Sequence, residues 1–154
     1  VFLFAIQVWS GINRRQRVIH RAKPALYGVY NVTKFVKNGK EVPPLLTDTT
    51  RWKRLLIDYS TWVSVMGMDD RYHRYLVKTD TIKKQIVFST RKDTVNKYTM
   101  SYERMGKDLK LSGVLKKDTL NITLQHYPLK HFDLIQRGFH WVNEKPYNGY
   151  NTLK

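Results

Sequence analysis

Apolar and polar residues alternate with a period of two along most of the chain from residue 26 onward. An extended strand places successive side chains on opposite faces, whereas a helix needs an apolar residue every three or four positions. Residues 26–35 show this alternation and are rich in the β-branched and aromatic residues that strands favour. This region is therefore predicted to form strands, and we expect helix only before Pro24 or around residues 45–56.

Short polar breaks divide the alternating region into hairpin-sized units. Asn38-Gly39 favours the positive φ angles of a tight turn, and Pro43-Pro44 blocks ladder pairing, so residues 41–51 are predicted to form an irregular connection. The predicted strands lie at about residues 26–35, 52–59, 62–67, 71–79, 84–90, 95–104, 108–115, 119–126 and 134–142.

Hairpin-sized connections favour an antiparallel meander over alternating strands and helices. A sheet of about 8–10 strands curls and usually closes, because closure removes its unpaired edges. We therefore predict a mainly β fold, an antiparallel up-and-down meander that closes into a small barrel after a short N-terminal helix.

The first residues are almost wholly apolar, and arginines follow them. Val1–Trp9 is too short to cross a bilayer, since a spanning helix needs about 20 residues. We predict that it is the end of a membrane helix, with Trp9 at the interface and Arg14, Arg15 and Arg17 against anionic lipid headgroups. An N-terminal helix that packs against the core is the alternative.

The chain is therefore divided into two parts. We predict that residues 1–24 form the membrane-helix end and a basic juxtamembrane segment, and that residues 25–154 form the barrel domain. The positive-inside rule places the barrel on the cytoplasmic side of the inner membrane.

Lys and Arg number 28 against 12 acidic residues, which gives a net charge of +16. This charge favours a cationic surface near lipid headgroups over a dedicated nucleic-acid face.

The motifs that usually carry catalysis are missing from the sequence. It has no cysteine, no Gly-x-Ser-x-Gly, no phosphate-binding Gly-Lys-Thr loop and no His-Glu-x-x-His. Asp69-Asp70 is interpreted as a hairpin turn with a local ion pair to Arg71. His126, His131 and His140 are interpreted as surface or hydrogen-bonded histidines. We predict a non-enzymatic domain without a metal site, cofactor or catalytic residue.

Aromatic residues on the predicted strands offer the remaining candidate site. Alternation sends about half of them inward, where they either fill the core or line a partly open pocket. The pocket hypothesis predicts a hydrophobic small molecule, lipid-like or a quinone, held by Trp62, Tyr75 and Tyr102 with Arg137 and His140 as polar contacts. Exposed aromatics among basic residues also suit single-stranded nucleic acid, which we regard as the less favoured partner.

Two resemblances add to this interpretation. Gly28-Val29-Tyr30 on the first strand and Arg137 on the last predicted strand resemble the lipocalin or calycin pattern, in which Gly-x-Trp opens the barrel and a late Arg packs across the aromatic ring. Tyr30 stands where that family has Trp. The resemblance implies a lipocalin-like barrel closed structurally by Gly28, Tyr30 and Arg137.

A longer resemblance covers most of the chain. The apolar segment Val1–Trp9 and three motifs resemble the soluble C-terminal extension of bacterial DoxX-like membrane proteins. The motifs are Lys23-Pro24-Ala25-Leu26-Tyr27-Gly28, Pro43-Pro44-Leu45-Leu46 and Arg137-Gly138-Phe139-His140-Trp141-Val142-Asn143-Glu144. That family is a small four-helix membrane protein sometimes linked to quinone oxidoreductases or respiratory oxidases. The resemblance implies a location at the membrane more than a chemistry. We predict a membrane-tethered barrel with a binding or regulatory role. An accessory domain of a quinone-linked redox complex and a basic nucleic-acid-binding barrel are the alternatives.

Overall fold

The computed structural model describes residues 2–90 and 93–132. One α-helix, α1 (Phe2–Ile19), precedes the strands. The strands are β1 (Gly28–Lys37), β2 (Lys40–Glu41), β3 (Trp52–Ile57), β4 (Trp62–Gly67), β5 (Tyr72–Asp80), β6 (Gln85–Thr90), β7 (Asp93–Met105), β8 (Asp108–Leu115) and β9 (Asp118–Tyr127). A 3₁₀ turn, η1 (Leu129–His131), follows them.

The strands form one antiparallel meander that closes on itself. From β3 to β9 each strand pairs with the next along the chain, and β1 pairs with both β3 and β9. The two-residue strand β2 pairs only with the end of β1, so the eight longer strands make the closed barrel. The predicted mainly β barrel with a short N-terminal helix is therefore confirmed.

The strand boundaries follow the sequence pattern closely. The segments predicted at 62–67 and 108–115 match β4 and β8 residue for residue. The first strand starts at Gly28 rather than at residue 26, because the Tyr27 amide donates to the Pro24 carbonyl and holds the preceding residues in a turn. The strand predicted at 134–142 lies outside the described residues.

Helix lies in one of the two places where it was expected and also in one where it was not. The helix α1 ends before Pro24, as predicted. The turn η1 follows Pro128, where the His131 amide donates to the Pro128 carbonyl (3.0 Å). Proline cannot continue the ladder of β9, so the chain turns there instead of extending.

Turn residues fix the register of the hairpins. Asn38 and Gly39 have φ angles of 51° and 80°, the positive values that a two-residue hairpin turn requires. The Asn38 amide group also donates to Asp118 (3.0 Å) and accepts from the Thr119 backbone N–H (2.8 Å). One side chain thereby joins the β1–β2 turn to the start of β9.

The core lies inside the barrel and is contributed by alternate residues of every long strand except β5, whose inward residues are only partly buried. The largest fully buried side chains are Phe35, Phe88, Leu55, Ile86, Met100, Leu109, Leu111, Ile122, Leu124 and Val65. Burying a side chain of this size stabilises the fold by about 1.5–3 kcal/mol. The apolar residues that alternate along the sequence therefore form the interior of the barrel.

The two ends of the barrel differ. At the packed end, where β1 begins and β9 ends, the buried side chains of Leu26 and Tyr30 fill the interior. At the open end, where β1 ends and β3 begins, a cavity remains between the strands and residues 49–51.

The helix α1 presents apolar side chains to solvent. Ile6, Val8, Trp9 and Ile12 are all exposed, Trp9 to 69%. No helix in the described ranges is both long enough and apolar enough to span a membrane. The segment after α1 attaches to the barrel through Arg21, whose guanidinium bonds the Asp58 carboxylate (2.6 Å) and the Asp58 carbonyl (3.0 Å).

Candidate ligand-binding pocket at the open end of the barrel

A cavity of about 250 Å³ lies at the open end. Strands β1, β3, β4, β5, β8 and β9 all contribute to it, together with the end of the connection before β3. Its lining residues are Phe35, Lys37, Thr49, Thr50, Arg51, Trp52, Val65, Gly67, His73, Tyr75, Leu115, Lys116, Asp118 and Leu120. The pocket is therefore built from distant parts of the chain that only barrel closure brings together.

Three aromatic side chains line this pocket, Phe35, Trp52 and Tyr75, and the core residue Phe88 packs against two of them without lining it. Phe35 and Trp52 lie with their ring centroids 6.3 Å apart, and Phe88 lies 6.4 Å from Trp52 and 6.1 Å from Tyr75. The Tyr75–Phe88 pair is edge-to-face, at 82° between the ring planes. Aromatic pairs in this range contribute about 0.5–1.5 kcal/mol beyond the burial of their area. The aromatic lining is held in place by mutual packing.

Arg51 is the polar residue that distinguishes the pocket. Only 4% of its surface is exposed, although it carries a full charge. Its Nη1 donates to the Val42 carbonyl, its guanidinium lies 5.9 Å from the centre of the Phe35 ring, and its Nε has no hydrogen-bond partner among the described residues. Burial lowers the pKa of the guanidinium, and the carboxylates of Glu41 and Asp48 oppose that change.

The loop that carries Arg51 is fixed by Asp48. The carboxylate of Asp48 accepts from the Thr50 amide (2.7 Å), the Thr50 hydroxyl (2.8 Å) and the Arg51 amide (3.3 Å). The hydrogen bonds from Thr50 are the main reason why the pKa of Asp48 lies below its usual value. This local turn sets the direction in which the chain enters β3 and so places Arg51 beside the cavity.

The rim of the pocket carries more positive than negative charge. Lys37 pairs with Asp118 (2.9 Å), and hydrogen bonds from Lys37 and then Asn38 lower the pKa of that carboxyl. Lys116 and Arg51 also line the cavity, so its charged lining is three cations to one carboxylate. His73 adds an imidazole on β5. Polar and apolar side chains both line the cavity, and the excess of cations favours an anion over a cation.

The predicted ligand residues are distributed over several places. Tyr75 lines the cavity. Trp62 lies on the outer face of β4, stacked on Tyr59 (4.3 Å) and under the Arg74 guanidinium (5.0 Å). Tyr102 is buried in the core and is not among the residues that line this cavity. Arg137 and His140 lie outside the described residues.

Sequence reasoning did not single out Arg51, Trp52 or His73 as ligand residues. The net positive charge predicts a cationic surface, but Arg51 does not belong to that surface because it is buried. The available signal was its position, immediately before an inward-facing tryptophan and after the Pro43-Pro44 connection. A cation at such a strand start faces the barrel mouth instead of the outer surface.

The predicted closure residues gather at the packed end. Tyr30 is buried, its hydroxyl donates to the Leu26 carbonyl (3.2 Å), and its ring meets His126 edge-on at 5.6 Å. Burial raises the pKa of the Tyr30 phenol, while the positive charge of Arg104 opposes that rise. Gly28 lies against the same rings. The predicted contact between Tyr30 and Arg137 involves a residue outside the described ranges.

The histidines and acidic residues form no metal cluster within residues 2–90 and 93–132. His126 packs against Tyr30, and the ring of His131 meets Tyr127 edge-on at 5.8 Å. Asp69 forms the predicted turn, accepting from the Arg71 amide (3.2 Å) and pairing with its guanidinium (3.6 Å). These side chains are used for packing and turn formation.

Comparison of the chain with protein-family models, with curated proteins and with solved structures finds no match. Function is therefore inferred from the geometry of the pocket and from the surface of the helix.

Proposed function

We propose that this domain is a non-enzymatic barrel that binds a small hydrophobic molecule in the cavity at its open end. The observation that carries the proposal is that three aromatic side chains, Phe35, Trp52 and Tyr75, line about 250 Å³ of space and are held by packing against each other and against Phe88. An apolar cavity of about 150 Å³ is large enough for benzene, so this one suits a compound of one or two rings, such as a quinone head group, better than a long acyl chain.

A neutral two-ring probe tests this function. Calorimetric titration with 1-naphthalenemethanol is expected to show saturable binding to the intact protein. Tyr75→Ala removes part of the aromatic lining, and the loss of one aromatic contact is expected to weaken binding by roughly threefold to tenfold.

Tyr72→Ala is the matched control, because Tyr72 lies on the same strand, is exposed and does not line the cavity. It is expected to leave the affinity unchanged. Absence of binding to the intact protein, or equal weakening by both substitutions, contradicts the proposed site.

We further propose that α1 tethers the barrel to the inner membrane, with the barrel on the cytoplasmic side. Supporting this are the exposed apolar side chains of Ile6, Val8, Trp9 and Ile12 and the exposed arginines Arg14 and Arg15. The side chain of Arg17, also predicted to contact headgroups, lies outside the described part of the chain. The resemblance to DoxX-like proteins supports the same location.

Liposome flotation tests the tether. The intact chain is expected to float with anionic vesicles even at high salt, because burial of apolar side chains is barely screened. Replacing Trp9 and Ile12 by Gln should abolish flotation at high salt, and replacing Arg14 and Arg15 by Gln should weaken it mainly at low salt, by about 1 kcal/mol per charge.

Ile82→Gln provides the control, since Ile82 is 93% exposed on the β5–β6 turn of the barrel. It is expected to float like the unaltered chain. If the unaltered chain stays in the soluble fraction at low salt, the membrane proposal fails.

A further inference from the structure

Arg51 carries a charge into the barrel interior without a direct ion pair, because the carboxylates of Glu41 and Asp48 act on it only from a distance. No carboxylate oxygen of the described residues lies within 4.0 Å of its guanidinium, although five other cations of the described chain have such a partner. A buried charge is costly unless it is paired and hydrogen-bonded. This unfavourable burial of a charge occurs at the mouth of the candidate pocket.

The hydrogen-bonding capacity of Arg51 is only partly used. A guanidinium has five N–H donors in a planar fork, and the described partner is the Val42 carbonyl, bound to Nη1. The Nε is buried and has no partner in this part of the structure. The fork matches the two oxygens of a carboxylate, which accept a pair of parallel hydrogen bonds.

The surroundings of Arg51 restrict the rest of the ligand. Trp52 and Phe35 supply apolar surface on the same lining, and Tyr75 faces the cavity from β5. The single carboxylate on the rim, Asp118, is already held by Lys37 and Asn38. A ligand here meets aromatic side chains on one side and a cation without a direct ion pair on the other.

We propose that the ligand is an aromatic organic anion whose carboxylate is bound by the guanidinium of Arg51 while its ring packs against Trp52 and Tyr75. This inference rests on the proposed binding function and specifies the class of ligand. The group that Arg51 binds is a planar anion, which an organic carboxylate and a free inorganic anion can both supply. Packing of the ring distinguishes the organic carboxylate from the inorganic anion.

Three probes separate these contributions in calorimetric titrations of the intact protein: 1-naphthoate, neutral 1-naphthalenemethanol and acetate. 1-Naphthoate is expected to bind at least about tenfold more tightly than 1-naphthalenemethanol, because hydrogen bonds to a charged acceptor are the stronger class. Acetate, which lacks the ring, is expected to bind too weakly to compete with 1-naphthoate.

Two substitutions assign the effect to one residue. Arg51→Gln should reduce 1-naphthoate affinity to that of the neutral probe while leaving the neutral probe's affinity within about threefold. Arg71→Gln is the matched control at the same end of the barrel, since the Arg71 side chain is 83% exposed and lies outside the lining. It should preserve the preference for the anion.

The outcomes are distinguishable. If both naphthalene probes bind the unaltered protein equally, the assignment to Arg51 is overturned and the proposed binding function stands. If neither binds, the binding function itself fails. If Arg51→Gln does not fold, Arg51→Lys keeps the charge without the fork and should lose part of the preference. Equal loss in Arg71→Gln, or acetate competing as well as 1-naphthoate, also overturns the inference.

Discussion

At the packed end of the barrel, Leu26 and Tyr30 are buried in the interior and are joined by a hydrogen bond. At the open end, Arg51 is also buried, but one of its hydrogen-bond donors has no partner among the described residues. Both ends belong to the same alternating strands. The hydroxyl of Tyr30 finds its acceptor at Leu26, only four residues away. The Nε of Arg51 finds none among the described residues.

This difference separates a filled interior from a cavity, the proposed binding site, within one small fold. The packed end is filled by the segment that enters β1, so its interior is complete once the strands have paired. At the open end, the connection before β3 is held by Asp48 and by the Arg51–Val42 hydrogen bond, and a cavity remains. A buried polar group without a full set of partners reduces stability, and such local violations are typical of functional sites.

The largest expected effect comes from truncating one tyrosine at each end. Tyr30→Ala removes a buried ring and is expected to destabilise the fold by about 3–5 kcal/mol, as for other large aromatic-to-alanine changes. Tyr75→Ala lies at the half-buried cavity wall and is expected to cost about 1–2 kcal/mol, because the cavity already exists there. Urea unfolding followed by far-UV circular dichroism measures both values.

Tyr30→Phe is the control for the first substitution. It keeps the ring and removes only the hydrogen bond to Leu26, which is expected to cost about 1 kcal/mol. If Tyr75→Ala destabilises the protein as much as Tyr30→Ala, the distinction between the two ends is wrong.

The next effect concerns how closely the chain approaches itself at the packed end. Gly28 has a φ of +154°, and a Cβ there lies 3.1 Å from the His126 ring and 3.3 Å from the Tyr30 ring. Gly28→Ala is therefore expected to destabilise the fold by about 1–3 kcal/mol through strain and displaced rings. Gly11→Ala is the control in open space on α1, where alanine should be neutral or slightly favourable. Equal melting temperatures for the two variants contradict the closure role.

The fold was largely predictable because its determinants are local. Alternation with a period of two assigns faces, and residues such as Asn38-Gly39 assign turns, so strand positions and barrel closure follow from short stretches of sequence. The boundary errors, such as the start of β1, arise where a backbone hydrogen bond holds a turn that no side chain announces.

The site was less predictable because the alternation of apolar and polar residues does not show which side chains line the pocket or how deeply each one is buried. Tyr75 and Trp62 lie on neighbouring paired strands, yet β4 turns Val63 and Val65 inward and leaves Trp62 on the outer face. Arg51 becomes buried only because β1 supplies Phe35 and the connection supplies the Val42 carbonyl. Those contacts depend on barrel closure, and no local pattern contains them.

A smaller effect is expected where the chain joins α1 to the packed end. Arg21 bonds Asp58 and lies 3.8 Å above the Tyr59 ring, which stacks on Trp62. Arg21→Ala should cost about 0.5–2 kcal/mol, because a partly exposed ion pair and a cation–π contact are both modest. Urea unfolding measures this cost, and calorimetric titration with 1-naphthalenemethanol should show unchanged affinity at the far end.

Arg74→Ala is its control, since Arg74 lies 5.0 Å from the outer side of Trp62 and does not contact the α1 segment. It should cost less than Arg21→Ala. Altered probe affinity in Arg21→Ala, with unaltered affinity in Arg74→Ala, shows that the two ends are coupled and that the comparison must be revised.

The smallest effect is the alkaline dependence of stability. Burial raises the pKa of both Tyr30 and Tyr75 above the usual 10.0. A raised pKa in the folded state favours the protonated phenol, so this contribution to stability is fully present below pH of about 10 and is lost as the pH rises through the folded-state values. Absorbance of phenolate at alkaline pH should therefore include a late-titrating fraction in the folded protein. Tyr75→Phe and Tyr30→Phe should each remove part of that fraction, and each should make unfolding less sensitive to pH above about 10.

At the packed end the positive charge of Arg104 opposes the rise in the pKa of Tyr30, so Arg104→Gln should delay the titration of Tyr30 and leave that of Tyr75 unchanged. If Arg104→Gln shifts neither tyrosine, the charge of Arg104 does not reach the packed end.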